Sequence, residues 1–96
     1  MARDTKLRLF CYDIQSNKRR RRVAKALEQE ASRVQFSVFE TRLTDRATQR
    51  LAETISQFLA DHDSLRVYTI GKSAEPKCQV YGSGIPIEAE AGFWLL

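Results

Sequence analysis

The sequence predicts an α+β fold, a sheet with two helices on one face, and three observations carry that prediction. Two segments, one running from Ser16 or Asn17 to about Ala31 and the other from Asp45 to His62, repeat their apolar residues at spacings of three and four. Stretches rich in β-branched and aromatic residues, KLRLFCYDI, RVQFSVFETRL and SLRVYTI, stand before, between and after them. At 96 residues the chain has room for a single domain with a modest core.

Taken in order, Lys6 to Ile14 puts Leu7, Leu9, Cys11 and Asp13 on one side of a strand and Arg8, Phe10, Tyr12 and Ile14 on the other. Asp13 falls at its carboxyl end. The next helix carries an apolar stripe of Val23, Ala24, Leu27 and Ala31. Residues 33–43 are too few for two full strands and a loop, so they predict one longer strand and a short partner, with the bend near Gln35 to Ser37. Thr44 caps the second helix, whose stripe is Ala47, Leu51, Ile55, Phe58 and Leu59. Ser64 to Ile70 is the last strand of the core fold, and Gly71 ends it.

The order βαββαβ is the ferredoxin-like pattern, an antiparallel sheet with both helices on one face. Two helices leave the other face bare, and a homodimer is the natural cover for it. Residues 72–96 then read as an additional C-terminal strand and tail. Lys77 to Tyr81 suits an extra edge strand, on its own sheet or on a partner's, and Ile85 to Leu96, ending GFWLL, suits contacts with a neighbouring subunit or another protein.

Charge narrows the function. The net charge is +4, yet residues 1–50 hold 13 Lys and Arg against 6 Asp and Glu, while residues 51–96 hold 3 against 6. Localised basic charge points to a polyanion as partner. Its focus is Lys18, Arg19, Arg20, Arg21 and Arg22 at a helix start, where cations oppose the macrodipole and stability alone favours acids. A phosphate backbone relieves both that conflict and the mutual repulsion. Successive residues of a helix lie about 100° apart, so five cations cannot point one way. Lys18, Arg19 and Arg21 are expected to meet phosphates, while Arg20 or Arg22 turns toward structural partners.

Little else looks catalytic. One aspartate is a poor site for a divalent cation, but a twofold dimer supplies two copies of Asp13, which with phosphates alongside suits Mg²⁺ and phosphodiester hydrolysis. His62, the single histidine, reads as a helix terminator, and the chain has no Gly-rich phosphate loop. Cys11 and Cys78 are too few and too far apart for a CxxC zinc site and read as reduced thiols in strand-like stretches. No apolar run approaches the ~18 residues of a membrane span. The amino terminus lacks a secretory pattern, so the expected location is cytoplasmic. Three functions compete: a metal-dependent nuclease, a DNA-binding adapter without catalysis of its own, and an RNA-recognition module stacking bases on Phe10 and Tyr12.

"YDI" at residues 12–14, the basic run leading into "VAKALE", and "RVQFSVFE" at 33–40 together resemble the small CRISPR-associated adaptation protein family. This is the second of the two universal proteins of CRISPR immunity and the partner of the CRISPR integrase subunit. The resemblance implies a ferredoxin-like homodimer with Asp13 near the twofold axis as Mg²⁺ ligand. The other positions it marks are Tyr12, Arg20, Arg22, Arg33, Ser37 and Phe39. Arg33 thereby joins the residues expected at nucleic acid, Ser37 is an orienting hydroxyl at the strand bend, and Phe39 is a core or dimer-contact residue. Some members are metal-dependent endonucleases on single-stranded RNA or duplex DNA; others bridge two integrase dimers and hold the incoming duplex. Here Gln15, Ser16 and Asn17 follow the YDI with no second acid, a departure that leaves Asp13 without a carboxylate neighbour in its own chain.

Overall fold

The computed structural model describes residues 4–87. Its elements are β1 (Lys6–Asp13), α1 (Asn17–Glu28), β2 (Ser32–Gln35), β3 (Val38–Leu43), α2 (Asp45–Ser56) and β4 (Ser64–Ile70), followed by a short 3-10 turn at Glu75–Lys77. The sheet order is β2-β3-β1-β4 with every pair antiparallel, as the ferredoxin-like order requires. β1 is central because it carries the longest apolar alternation, and its neighbours hide both of its edges.

Register decides which side of β1 meets the helices. Phe10 lies opposite Phe39 and Val67, and Tyr12 opposite Leu65; these residues pack with Val23, Ala24 and Leu27 of α1 and Leu51 and Ile55 of α2. Leu9, Cys11 and Asp13 therefore point to the open face, beside Val38 of β3 and Arg66 and Tyr68 of β4. Both helices begin where a hydroxyl can satisfy an orphan N–H. The Ser16 oxygen accepts from the Arg19 N–H at 3.2 Å and the Thr44 oxygen from the Ala47 N–H at 3.1 Å.

The helices stop earlier than their apolar spacing suggests. α1 ends at Glu28, and the Thr41 hydroxyl donates to the Glu30 carbonyl at 2.6 Å, turning the chain into β2. α2 ends at Ser56, not His62, because Phe58 and Leu59 bond back by three residues, to Ile55 and Ser56, tightening the last turn and drawing both side chains onto the core. His62 thus lies in a later turn, at φ 72°, and terminates no helix. The β2–β3 bend falls at Phe36–Ser37, and an extra residue, Val34, breaks the register between Arg33 and Gln35 as a bulge.

Among the described residues no strand follows β4 within the chain itself. After Gly71 the backbone closes on itself through Ala74 and Glu75 N–H groups donating to the Gly71 carbonyl. Glu75 then pairs with Arg42 through two bonds of 2.8 and 3.0 Å and accepts from the Leu7 N–H at 3.3 Å. That clamp draws the chain back across the sheet instead of along the edge of β4, and Pro76 has no N–H to offer a ladder. Residues 78–87 show no strand, which also places Cys78 outside any strand; Cys11 and Cys78 are free, half-buried thiols. The GFWLL end lies outside the described residues.

Candidate nucleic-acid interface

The end of β1, the start of α1, the β2–β3 turn and the α2–β4 connection meet at one end of the domain. What holds them together is Asp63, on that connection. Its fully buried carboxylate accepts from Arg19 Nε at 2.7 Å and Nη2 at 3.3 Å, and from the Gln15 and Ala60 backbone N–H groups at 3.0 Å each. Arg19 and these two N–H groups hold the acid far below the usual carboxylate range. Of the five cations at the start of α1, Arg19 is thus the one most fully committed to structure, which corrects the expectation that it belongs with the phosphate-facing set. At the third helical position its side chain reaches back toward the connection where Asp63 waits.

The other cations divide by degree of freedom. Arg20 stays local, donating to Asn17 Oδ1 and to the Gln15 carbonyl, and Arg22 lies 5.5 Å over the Phe58 ring. Both keep their heads near the surface. Lys18 and Arg21 are exposed, and among the described residues no hydrogen bond or ion pair ties them down. Arg33 sits over the Phe36 and Phe39 rings at 5.8 and 5.1 Å and meets Glu28 at 3.4 Å. A groove of about 220 Å³ between α1 and β2 is lined by Tyr12, Asn17, Arg20, Arg21, Arg33 and Phe36. A shallower trough continues along α1 past Arg21, Arg22, Lys25 and Glu28. Cations thus outnumber acids along the whole of this flank.

Asp13 stands apart from that flank, exposed on the open face opposite Ser64. Among the described residues nothing bonds to its carboxylate, and no group of three or more His, Cys, Asp and Glu converges there or elsewhere. Mg²⁺ is held through one or two carboxylates together with waters and substrate phosphates. A single chain supplies one, Asp13, at the lower limit of that donor set, and a second copy about a twofold axis would supply the other.

The remaining marked residues act through the fold. Tyr12 is buried, its ring stacked on Phe39 at 6.3 Å, and its hydroxyl donates to the Phe36 carbonyl at 3.3 Å. Burial pushes its pKa up, against a smaller opposite pull from Arg33 and Arg20. Phe39 is fully buried. Ser37 contributes its carbonyl, which accepts from the Tyr12 N–H at 3.1 Å; among the described residues its hydroxyl makes no bond. Phe10 and Tyr12 both face the helices, so the RNA-recognition reading fails: neither ring is open to a base. Sequence reasoning passed over Asp63, a polar loop residue there, and Phe36, which sat inside a strand-like run.

Fold and site together define a small ferredoxin-like domain with a cationic helix start beside a strand-end aspartate. The sequence model of the family described as "CRISPR associated protein Cas2" matches residues 6–77. The chain belongs to the Cas2 family. "CRISPR-associated endoribonuclease Cas2 2" of Synechocystis is 38% identical over 77 residues, spanning 78% of this chain and 83% of its own. The Streptococcus pyogenes Cas2 crystal structure superposes with a TM-score of 0.67 at 30% identity, covering 79% of this chain and 99% of its own. A chain of the "Partial Cas6-RT-Cas1--Cas2 complex" matches at a TM-score of 0.68 and 29% identity, over 78% of this chain and 89% of its own.

Proposed function

We propose that this protein is a CRISPR adaptation subunit, a cytoplasmic homodimer that grips the backbone of duplex DNA or single-stranded RNA through the start of α1 and presents it to an integrase subunit. The observation that carries this reading is the pair Lys18 and Arg21, exposed and unpaired among the described residues at a helix start with no acid in its first turn. Cations there work against the macrodipole, and phosphate oxygens resolve the conflict. Arg20, Arg22 and Arg33 line the groove and trough beside them. Family membership, and a similar chain in a complex that names Cas1, support the integrase as partner. The open sheet face, with Leu9, Cys11, Val38 and Tyr68, supports a second copy as its cover. No helix among the described residues is long and apolar enough to cross a membrane.

A second reading, metal-dependent phosphodiester hydrolysis, is favoured by one observation. Asp13 stays exposed and without a partner among the described residues, in a chain of net charge +4, and a relative carries the name endoribonuclease. In that reading Asp13, one from each subunit, would ligate Mg²⁺, which would supply an activated water for hydrolysis.

One experiment separates them: binding and cleavage of labelled single-stranded RNA and duplex DNA, with Mg²⁺ or EDTA, by wild type, Asp13→Ala and the double variant Lys18→Glu/Arg21→Glu. The double variant should bind at least tenfold more weakly and lower the salt slope by about two. Unchanged affinity and slope would refute the phosphate-binding assignment. Asp13→Ala should bind normally; loss of its Mg²⁺-dependent cleavage would make the protein a nuclease, and tight binding with no Asp13-dependent cleavage would make it an adapter.

A further inference from the structure

Phe36 breaks the local rules of the fold. It occupies a two-residue turn, where Gly, Asn, Asp and Ser are the usual choices, and its side chain is 71% exposed. An exposed aromatic at a turn forgoes burial it could have gained in the core. The turn that carries it is nevertheless held firmly. The Tyr12 hydroxyl donates to the Phe36 carbonyl at 3.3 Å and the Tyr12 N–H to the Ser37 carbonyl at 3.1 Å, so two bonds from the central strand fasten it.

The ring's surroundings are chemically specific. Arg33 lies over it at 5.8 Å, and the groove it lines holds Arg20 and Arg21 as well. At about 220 Å³ the groove is smaller than the ~300 Å³ at which small-molecule clefts begin, and so suits part of a nucleotide rather than a whole cofactor. An aromatic face bordered by guanidinium groups is the arrangement on which single-stranded nucleic acid stacks.

We infer that Phe36 is a stacking platform for one unpaired nucleobase, whose phosphate rests on Arg20 and Arg21. The inference rests on the phosphate-binding role proposed for α1 and adds the class of substrate: a strand with a base out of its pair, at a forked duplex end or in a single strand. Backbone contacts along α1 take any duplex; Phe36 adds affinity only where a base is free.

The test is affinity for three probes of matched length: a blunt duplex, the same duplex with a forked end, and a single strand, the last two carrying 2-aminopurine at the unpaired position. Wild type should prefer the forked duplex over the blunt one and quench the 2-aminopurine. Phe36→Ala should lose about tenfold in affinity for the forked probe, the scale of one stacked base, and with it the preference for the forked duplex over the blunt one. Phe36→Trp should restore both affinity and quenching. A quenched single strand with no gain at the fork would assign the platform to single strands alone. If blunt binding is tight and salt-dependent while Phe36→Ala changes neither unpaired probe, or lowers all three alike, the platform is refuted and the α1 reading stands. If wild type binds none of the three, the α1 reading itself fails and the platform with it.

Discussion

Two arginine–aspartate pairs brace this small domain at opposite ends of β1, and they are built in opposite senses. At the start of the strand the cation is buried and the acid is not: the Arg8 side chain is 5% exposed and that of Asp45 78%, at 2.8 Å. At the other end the acid is buried and the cation is not, with Asp63 at 0% and Arg19 at 31%, at 2.7 Å. Arg8 spends its donors inward, on the Leu43 carbonyl at 3.2 and 3.0 Å and on Thr69 Oγ1 at 2.9 Å, tying β1 to both neighbours and to the start of α2. Asp63 gathers donors instead, from α1, from the turn before it and from the end of the α2 connection. The difference shows where the fold keeps cations for other use. The Arg8 end is closed, whereas a buried acid at the Asp63 end leaves every cation of α1 at or near the surface.

Arg8→Ala should have the largest effect of any change at the two pairs. It removes four hydrogen bonds and the packing of a buried stem, and should cost about 3 kcal/mol of stability. Denaturant melts would register it as a lower midpoint at constant slope. Salt-dependent nucleic-acid binding by the folded protein should be unchanged, since nothing at the α1 start touches Arg8. Weaker binding at full folding would show that the two ends are coupled after all.

How much of this was legible in the sequence follows the range of the forces involved. The caps at Ser16 and Thr44, the strand Ser64–Ile70 and the bend at Phe36–Ser37 are local matters of hydroxyl placement, alternation and spacing, and the expectations for them match. The ends of both helices do not match, because they depend on where Phe58, Leu59 and the Glu30 carbonyl find partners in three dimensions. The path of the chain after β4 was not legible for the same reason: a pair between Arg42 and Glu75, 33 residues apart, redirects it. Of the site, the basic cluster was plain from composition, but its division was not. Arg19 and Asp63 are 44 residues apart, and no sequence spacing says which of five neighbouring cations will find a buried acid. Arg8 shares the parity of Phe10 and Tyr12, and only the fold shows that a cation at that position is satisfied from three directions.

Asp63→Asn should have the next largest effect, and it carries a pH signature. The folded state holds the Asp63 carboxyl well below its ordinary value of about 4. A depressed folded pKa contributes stability that is complete above that ordinary value and is lost as pH falls below it toward the folded value. Acid titration of wild type should therefore show stability declining below about pH 4, and Asp63→Asn should flatten that decline while lowering the melting temperature at neutral pH. Because the amide can neither carry the charge nor accept from all of Arg19, Gln15 and Ala60, the start of α1 should also loosen, and affinity for duplex DNA should fall by a few-fold. A variant that melts and binds as wild type does would show that Asp63 does not position the helix.

Asp45→Asn is the counterpart at the other end and should do least. Arg8 and Lys6 lower the Asp45 pKa, so the sign is the same: its contribution holds above about pH 4 and fades below. The carboxylate is, however, open to water, and exposed ion pairs are weak and screened by salt. It also stands in the first turn of α2, where a negative charge complements the helix dipole by an equally screened amount. Arg8 keeps its bonds to Leu43 and Thr69 when Asp45 is neutral, so its buried head is never left unpartnered. The melting temperature of Asp45→Asn should sit slightly below that of wild type at low ionic strength and merge with it at about 0.5 M salt, where the Debye length shrinks below 5 Å. The deficit of Asp63→Asn should persist under the same salt, because water and ions do not reach its carboxylate. Equal salt sensitivity in the two variants would mean that burial does not separate the pairs.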